Sequence, residues 1–233
     1  MNAFELFGTE HILTLITIAI LTVSGLLLLK RSSDKTATMT LRILSIILLF
    51  GEALQDILLI GDGGNFIEFL PLHLCNLGIF VDLFASFAKG KLQRFFAEIS
   101  VVLILPGAIG ALLFPDWNYR PFWSYLPLLC FLTHSLLVFI PLIFLVRNKA
   151  RISFRHFWYS YLLLMFVTPP IYLLNKSFDT NYMYLMYPPK FSPLDWVLSI
   201  TGEKYYLLGL AAFVTAVLIF EYALYSGARK LTR

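Results

Sequence analysis

Polar groups are rare in this chain, and the ones capable of chemistry fall in a few places. Residues 70–76 read Leu-Pro-Leu-His-Leu-Cys-Asn, which sets His73, Cys75 and Asn76 at the start of an apolar stretch running to Ala88. Glu52, Gln55 and Asp56 stand in an earlier apolar stretch, at spacings i, i+3 and i+4 that share one helix face. Cys130 and His134 lie one turn apart in a later stretch, and His11 enters the first. A thiol becomes a useful nucleophile when a base takes its proton, and histidine is the usual base. Cys75 and His73 are two residues apart and point to opposed faces, so His134 is the better base for Cys75. Cys130, at i−4 from His134, is the competing nucleophile. Asn76, or backbone N–H groups near Pro71 where a helix begins, could hold an oxyanion.

Other chemistry is open to the same groups. Glu52, Asp56, His73 and His134 could form a proton relay. Taken singly, a His, Asn or Gln inside a membrane helix also reads as interhelical glue, and a buried Cys as a small apolar residue. Several such groups at one depth on four segments favour a wet site instead. No His-x-x-x-His or Cys-x-x-Cys spacing occurs, so no metal is expected, and no cofactor is expected either. The GxxxxGK-S/T, GxGxxG and GxSxG patterns are absent, which leaves nucleotide and serine-hydrolase readings without support, and no nucleic-acid partner is expected.

The elements that carry these residues are read from hydropathy. The chain has 233 residues, 59% hydrophobic and 14% charged, with a mean hydropathy of +0.78. Soluble domains carry roughly 25% charged residues. The composition predicts an all-α polytopic membrane protein, one domain over 1–233, with seven transmembrane helices. They are placed near 11–29, 41–60, 70–88, 97–114, 123–146, 157–174 and 205–226, each about the ~20 residues that cross a bilayer. The first lacks a positive start and a cleavage site, so it is expected to be a retained span. Prolines at 106, 127, 141, 169 and 170 mark expected kinks.

Fourteen of the 18 Lys and Arg fall in the connections after segments one, three and five or in the C-terminal tail. The alternate side holds only Arg120, Lys176, Lys190 and Lys204, among most of the loop acids. The positive-inside rule then places the N-terminus outside and the C-terminus in the cytoplasm. In that orientation His11, Glu52, Gln55, Asp56, His73, Cys75, Asn76, Cys130 and His134 gather in the outer half, while Asp82, Glu98 and Glu221 lie inward. The connection 175–204 is the one long loop, rich in tyrosine, and reads either as an aromatic belt or as a lid over a site. Cys75 and Cys130 are the only cysteines, so at most one bridge is possible.

Four stretches carry a family resemblance: Leu70–Asn76, Gly110-Ala-Leu-Leu-Phe-Pro-Asp-Trp117, His134-Ser-Leu-Leu and Asn181-Tyr-Met-Tyr-Leu185. In order and spacing over nearly the whole chain they resemble the bacterial YwaF-like (TP-type) integral membrane proteins. That family is similar to a eukaryotic polytopic acyltransferase of ether phospholipids. It is more distantly similar to androgen-induced hydrolases of branched fatty-acid esters, which use a Thr nucleophile and a His. The resemblance implies a catalytic cysteine at Cys75 and a histidine at His134. Asn181 and Tyr182 match a family motif that implies no particular role.

The expectation is a multi-pass protein of a bacterial plasma membrane, active on lipids through thiol-dependent acyl transfer or ester hydrolysis. Its substrate would be a membrane lipid, either a phospholipid or a fatty-acyl ester. Cys75 and His134 would be catalytic, supported by His73, Asn76, Glu52, Gln55, Asp56, His11, Asn181 and Tyr182. A proton-coupled or small-solute transporter, or a non-catalytic sensor or assembly protein, is the alternative.

Overall fold

The computed structural model describes residues 4–116 and 120–231, with the backbone alone from 228 onward. Among them are eight α-helices: α1 (Thr9–Arg31), α2 (Asp34–Gly61), α3 (Leu74–Phe87), α4 (Gly90–Ile99), α5 (Leu105–Leu113), α6 (Tyr125–Val146), α7 (Phe157–Phe178) and α8 (Pro193–Leu231). No β-strand occurs among the described residues. A π-helical turn, Ser100–Ile104, joins α4 to α5 into one rod of 24 residues, Gly90–Leu113. Six helices or rods are long and apolar enough to cross a membrane, and α3 is a shorter apolar helix. The chain divides into two compact units, Met1–Arg151 and Ile152–Arg233.

In the first unit, α6 is the central helix and packs on α1, α2, α3 and α5. The periodicity of α2 shows why it faces inward as it does. Ala37, Leu41, Ser45, Leu48 and Glu52 are its buried residues, a stripe at helical spacing, while Ile43, Ile47, Phe50, Leu54 and Ile57 face outward. Lipid is as apolar as leucine, so close packing and hydrogen bonds rather than hydrophobicity hold such helices together. Gly78 of α3 is one such contact: a Cβ there would stand 2.6 Å from Ile104 Cγ2.

Several boundaries depart from the sequence expectation: α2 begins at Asp34 rather than near 41, and the fourth segment at Gly90 rather than near 97. The segment expected as a span over 70–88 is helical only from Leu74, with His73 as its N-cap at φ −67° and ψ 153°. At 14 residues α3 spans ~21 Å, short of a ~30 Å hydrocarbon core. A 3-10 turn, Phe66–Phe69, and an extended stretch through Pro71 precede it. Proline biases the residue before it away from the helical region, which explains the late start. In the second unit, α8 begins at Pro193 rather than near 205, and Gly202 breaks it at φ 69°, ψ 166°. The expected long loop 175–204 therefore contains the end of α7, a 3-10 turn at Tyr182–Tyr184 and the first turns of α8. Pro169 and Pro170 lie inside α7, which stays helical through both.

Arg147, just past α6, clasps the α1–α2 connection. Its Nη1 donates to the carbonyls of Leu29 (3.1 Å), Lys30 (3.2 Å) and Ser32 (3.1 Å), and its Nη2 pairs with Asp34. Leu29 and Lys30 lie in the last turn of α1, where carbonyls lack an intrahelical i+4 donor, and Leu29 also accepts from Ser32. Lys149, whose Nζ donates to Thr38 Oγ1 at 3.0 Å, is held below the usual lysine range mainly by burial. Arg147→Ala is expected to lower thermal stability in detergent by about 1–3 kcal/mol through lost charge-assisted bonds. Asp34→Ala should change little, because that partner is exposed and solvent-screened. Equal losses in the two variants would show that the ion pair, not the capping of α1, carries the contact.

Candidate functional site

Within the first unit, α2, α3 and α6 pack on one another and bring most of the candidate residues to one end. Glu52 is 8% exposed, and Gln55 and Asp56 flank it half-buried on the same face, as their spacing predicts. The Asn76 amide, in the first turn of α3, donates to Glu52 Oε1. The Cys130 thiol on α6 donates to Gln55 Oε1 at 3.4 Å. Glu52 and Gln55 thus each meet a partner from a different helix, which is how a membrane interior retains such groups.

His134 is oriented by its own helix. Its Nδ1 lies 2.7 Å from the Cys130 carbonyl oxygen. A carbonyl can only accept, so Nδ1 carries the proton and Nε2 of the neutral ring presents its lone pair. Cys75 occupies the second position of α3. The first intrahelical bond runs from Leu77 N–H to the His73 carbonyl, so the N–H groups of Leu74, Cys75 and Asn76 have no intrahelical acceptor. Cys75 therefore stands in the first turn of the helix, among N–H groups that lack an intrahelical acceptor. Cys75 and Cys130 are free thiols, and no hydrogen bond joins Cys75 to His134 among the described residues.

Electrostatic coupling draws the set together. Glu52 acts on both cysteines, His134 acts on His73, and Asp116 acts on His73, Cys75, Cys130 and His134. Asp116 was not among the residues singled out from sequence, although it closes the 110–117 motif. The signal was there in its Pro-Asp turn, next to the end of an apolar segment. Trp117, the last residue of that motif, lies outside the described residues. Among the described residues no three His, Cys, Asp or Glu side chains converge as metal ligands.

Three expected support residues hold the fold in ways the sequence reading did not anticipate. His11 is wholly buried: Nδ1 accepts from Phe7 N–H (3.0 Å), so Nε2 carries the proton and donates to the Leu112 carbonyl (2.9 Å). Its ring packs among Phe4, Phe7 and Phe131, bracing α1 against α5 and α6. Asn181 staples its own loop, accepting from Met186 N–H (3.0 Å) and donating to the Tyr187 carbonyl (2.8 Å). Tyr182 is 1% exposed, and its backbone is held by Asn175 at 2.9 and 3.0 Å. Asn181 and Tyr182 belong to the second compact unit.

A polytopic helical membrane protein with thiols, imidazoles and carboxylates gathered where three helices meet is the class that these features define. The chain belongs to the TMEM164 family, whose model matches residues 6–222, and that family is one of multipass membrane proteins. Comparison with curated proteins and with solved structures returned no match.

The Glu52–Asn76 pair gives a direct check on this geometry. In a cycle of Glu52→Ala, Asn76→Ala and the double variant, the stability losses are expected to be non-additive by about 0.6–2 kcal/mol. Additive losses in detergent melts would show that α2 and α3 do not meet through this bond.

Proposed function

We propose that this protein is a membrane-embedded enzyme that transfers or hydrolyses lipid acyl groups, with Cys75 as nucleophile and His134 as general base. The observation that carries the reading is the fixed His134 ring: with Nδ1 on the Cys130 carbonyl, Nε2 is the atom free to take a thiol proton. The step balances simply. His134 takes the Cys75 proton, sulfur attacks the ester carbonyl, and the proton passes to the leaving alkoxide. A thioester and a free hydroxyl result. A second hydroxyl, from an acceptor lipid or water, reverses the sequence and restores the thiol. The open N–H groups of the first turn of α3, with Asn76 beside them, suit the oxyanion that forms at each attack.

The resemblance of residues 70–76 and 134–137 to the YwaF-like proteins and the ether-phospholipid acyltransferases supports a phospholipid or fatty-acyl ester as substrate. The packing below the Cys75 level supports it too: Leu48, Ile79, Leu137 and Ile140 are fully buried there, and a Cβ at Gly78 would stand 2.6 Å from Ile104 Cγ2. We place the site in the outer half of a bacterial plasma membrane, with the N-terminus outside. Reporter fusions at residues near 36, 92 and 152 are expected to read cytoplasmic, and one clear outside signal would overturn that orientation.

The mechanism is tested by labelling with a lipid-like thiol electrophile in wild type, Cys75→Ala, Cys130→Ala and His134→Ala. Labelling should survive Cys130→Ala, vanish in Cys75→Ala, and fall at least tenfold in folded His134→Ala, since reactivity follows thiolate character. Label that follows Cys130 would refute the nucleophile assignment. Absence of label on either cysteine would return the protein to the transporter class.

A further inference from the structure

A second polar cluster lies deeper in the first unit, two helical turns beyond Cys75 on α3. Asp82 is 0% exposed. Its Oδ1 accepts from Ser100 Oγ at 2.5 Å, and its Oδ2 is buried with no hydrogen-bond partner. One turn on, Ser45 of α2 and Ser86 of α3 pair through their hydroxyls at 2.8 Å, and Ser45 Oγ lies 3.4 Å from the Asp82 carbonyl. Ser45, Ser86 and Ser100 are at most 1% exposed. One hydroxyl thus meets the buried carboxyl, and a hydroxyl pair from α2 and α3 lies one turn away.

Among the described residues no ion pair involves Asp82. Arg42, the nearest basic residue on α2, spends its Nε on the Ser86 carbonyl (3.4 Å) and lies over the Phe87 ring. A buried carboxylate without a partner is costly, and protonation does not remove the difficulty. Whether the carboxyl proton is absent or shared with Ser100 Oγ, Oδ2 still lacks a partner. The backbone adds a second sign of purpose. Ser100 opens the π-helical turn Ser100–Ile104, a departure from the α-helix that is frequent at functional sites.

We propose that this cluster is a monovalent-cation site that takes sodium, with Asp82 Oδ2 as its anionic ligand, the Ser100 hydroxyl on the same carboxyl and the Ser45–Ser86 hydroxyl pair one turn away. Oxygen donors of this kind suit a hard cation. One carboxylate balances one positive charge, whereas a divalent ion would leave net charge buried among apolar side chains. The ion supplies the partner that Oδ2 lacks and ties α2, α3 and α4 together below the Cys75 level. The inference stands apart from the acyl-transfer reading, because the site involves neither cysteine nor His134.

The test uses the purified full chain in nanodiscs, melted in sodium, potassium or choline chloride at equal ionic strength. Wild type is expected to melt a few degrees higher in sodium, with a rise that saturates as sodium increases. Asp82→Asn, a near-isosteric neutral change, should lose that increment while melting no lower than wild type in choline. Ser100→Ala should need several-fold more sodium for half the effect. Equal melting in all three salts would overturn the proposal, as would an increment that persists in Asp82→Asn. So would a wild-type melt that responds to pH but not to sodium, which would make the ligand a proton. Should Asp82→Asn fail to fold, the sodium-23 resonance decides: no broadening by wild type beyond that of empty nanodiscs refutes the site.

Discussion

Inside a bilayer every backbone and side-chain polar group must find its partner in the protein, and α3 is where this constraint bears hardest. The helix starts at Leu74 and covers ~21 Å, so its first amides are not carried out to water by further helix. Residues 65–73 complete the course of the chain with a 3-10 turn capped by Asn65 and an extended Pro71 stretch. A half-buried helix start is a cluster of fixed donors. The candidate thiol, the Asn76 amide and the His73 N-cap all sit on it, and α2 and α6 pack around it. The candidate chemistry depends on this early termination more than on any one side chain.

Pairing across helices follows from the same constraint. Glu52 meets Asn76, Gln55 meets Cys130, and His134 returns its Nδ1 proton to the Cys130 carbonyl. Each bond both satisfies a polar group and fixes an orientation, which a catalytic group needs and a packing residue does not. His11 shows the opposite case. With both ring nitrogens committed to backbone, it has no lone pair or proton left to exchange. The same residue type, one helix away, is rendered structural by its second hydrogen bond.

Much of this was legible in the sequence where it depends on helical periodicity. The placement of Glu52, Gln55 and Asp56 on one inward face follows from spacing alone, and so does the Cys130–His134 register. The long hydrophobic runs likewise announce α1, α2, α6, α7 and most of α8. What could not be read depends on contacts between elements. The late start of α3 reflects Pro71 acting on the backbone before it, where hydropathy continues unbroken. Asp116 reaches the cluster only because the end of α5 meets the start of α3. The loop role of Asn181 rests on a reversal of chain direction with Asp179 and Met183 at positive φ, which composition does not disclose.

The two cysteines are not equivalent in this setting, and the difference is physical rather than positional. Both lie close to one end of the same three-helix contact, so depth does not separate them. Cys130 has its thiol proton committed to Gln55 and its carbonyl committed to His134. That carbonyl bond fixes Nδ1 against α6 and leaves the far edge of the ring, with Nε2, turned from its own backbone. The Cys75 thiol makes no hydrogen bond among the described residues and stands in the first turn of α3, where the amides have no intrahelical acceptor. A nucleophile needs a lone pair that is not already spent and a donor set waiting for the charge it creates. On the proposed mechanism Cys75 is the sulfur that meets both requirements, and Cys130 is the support that orients the base.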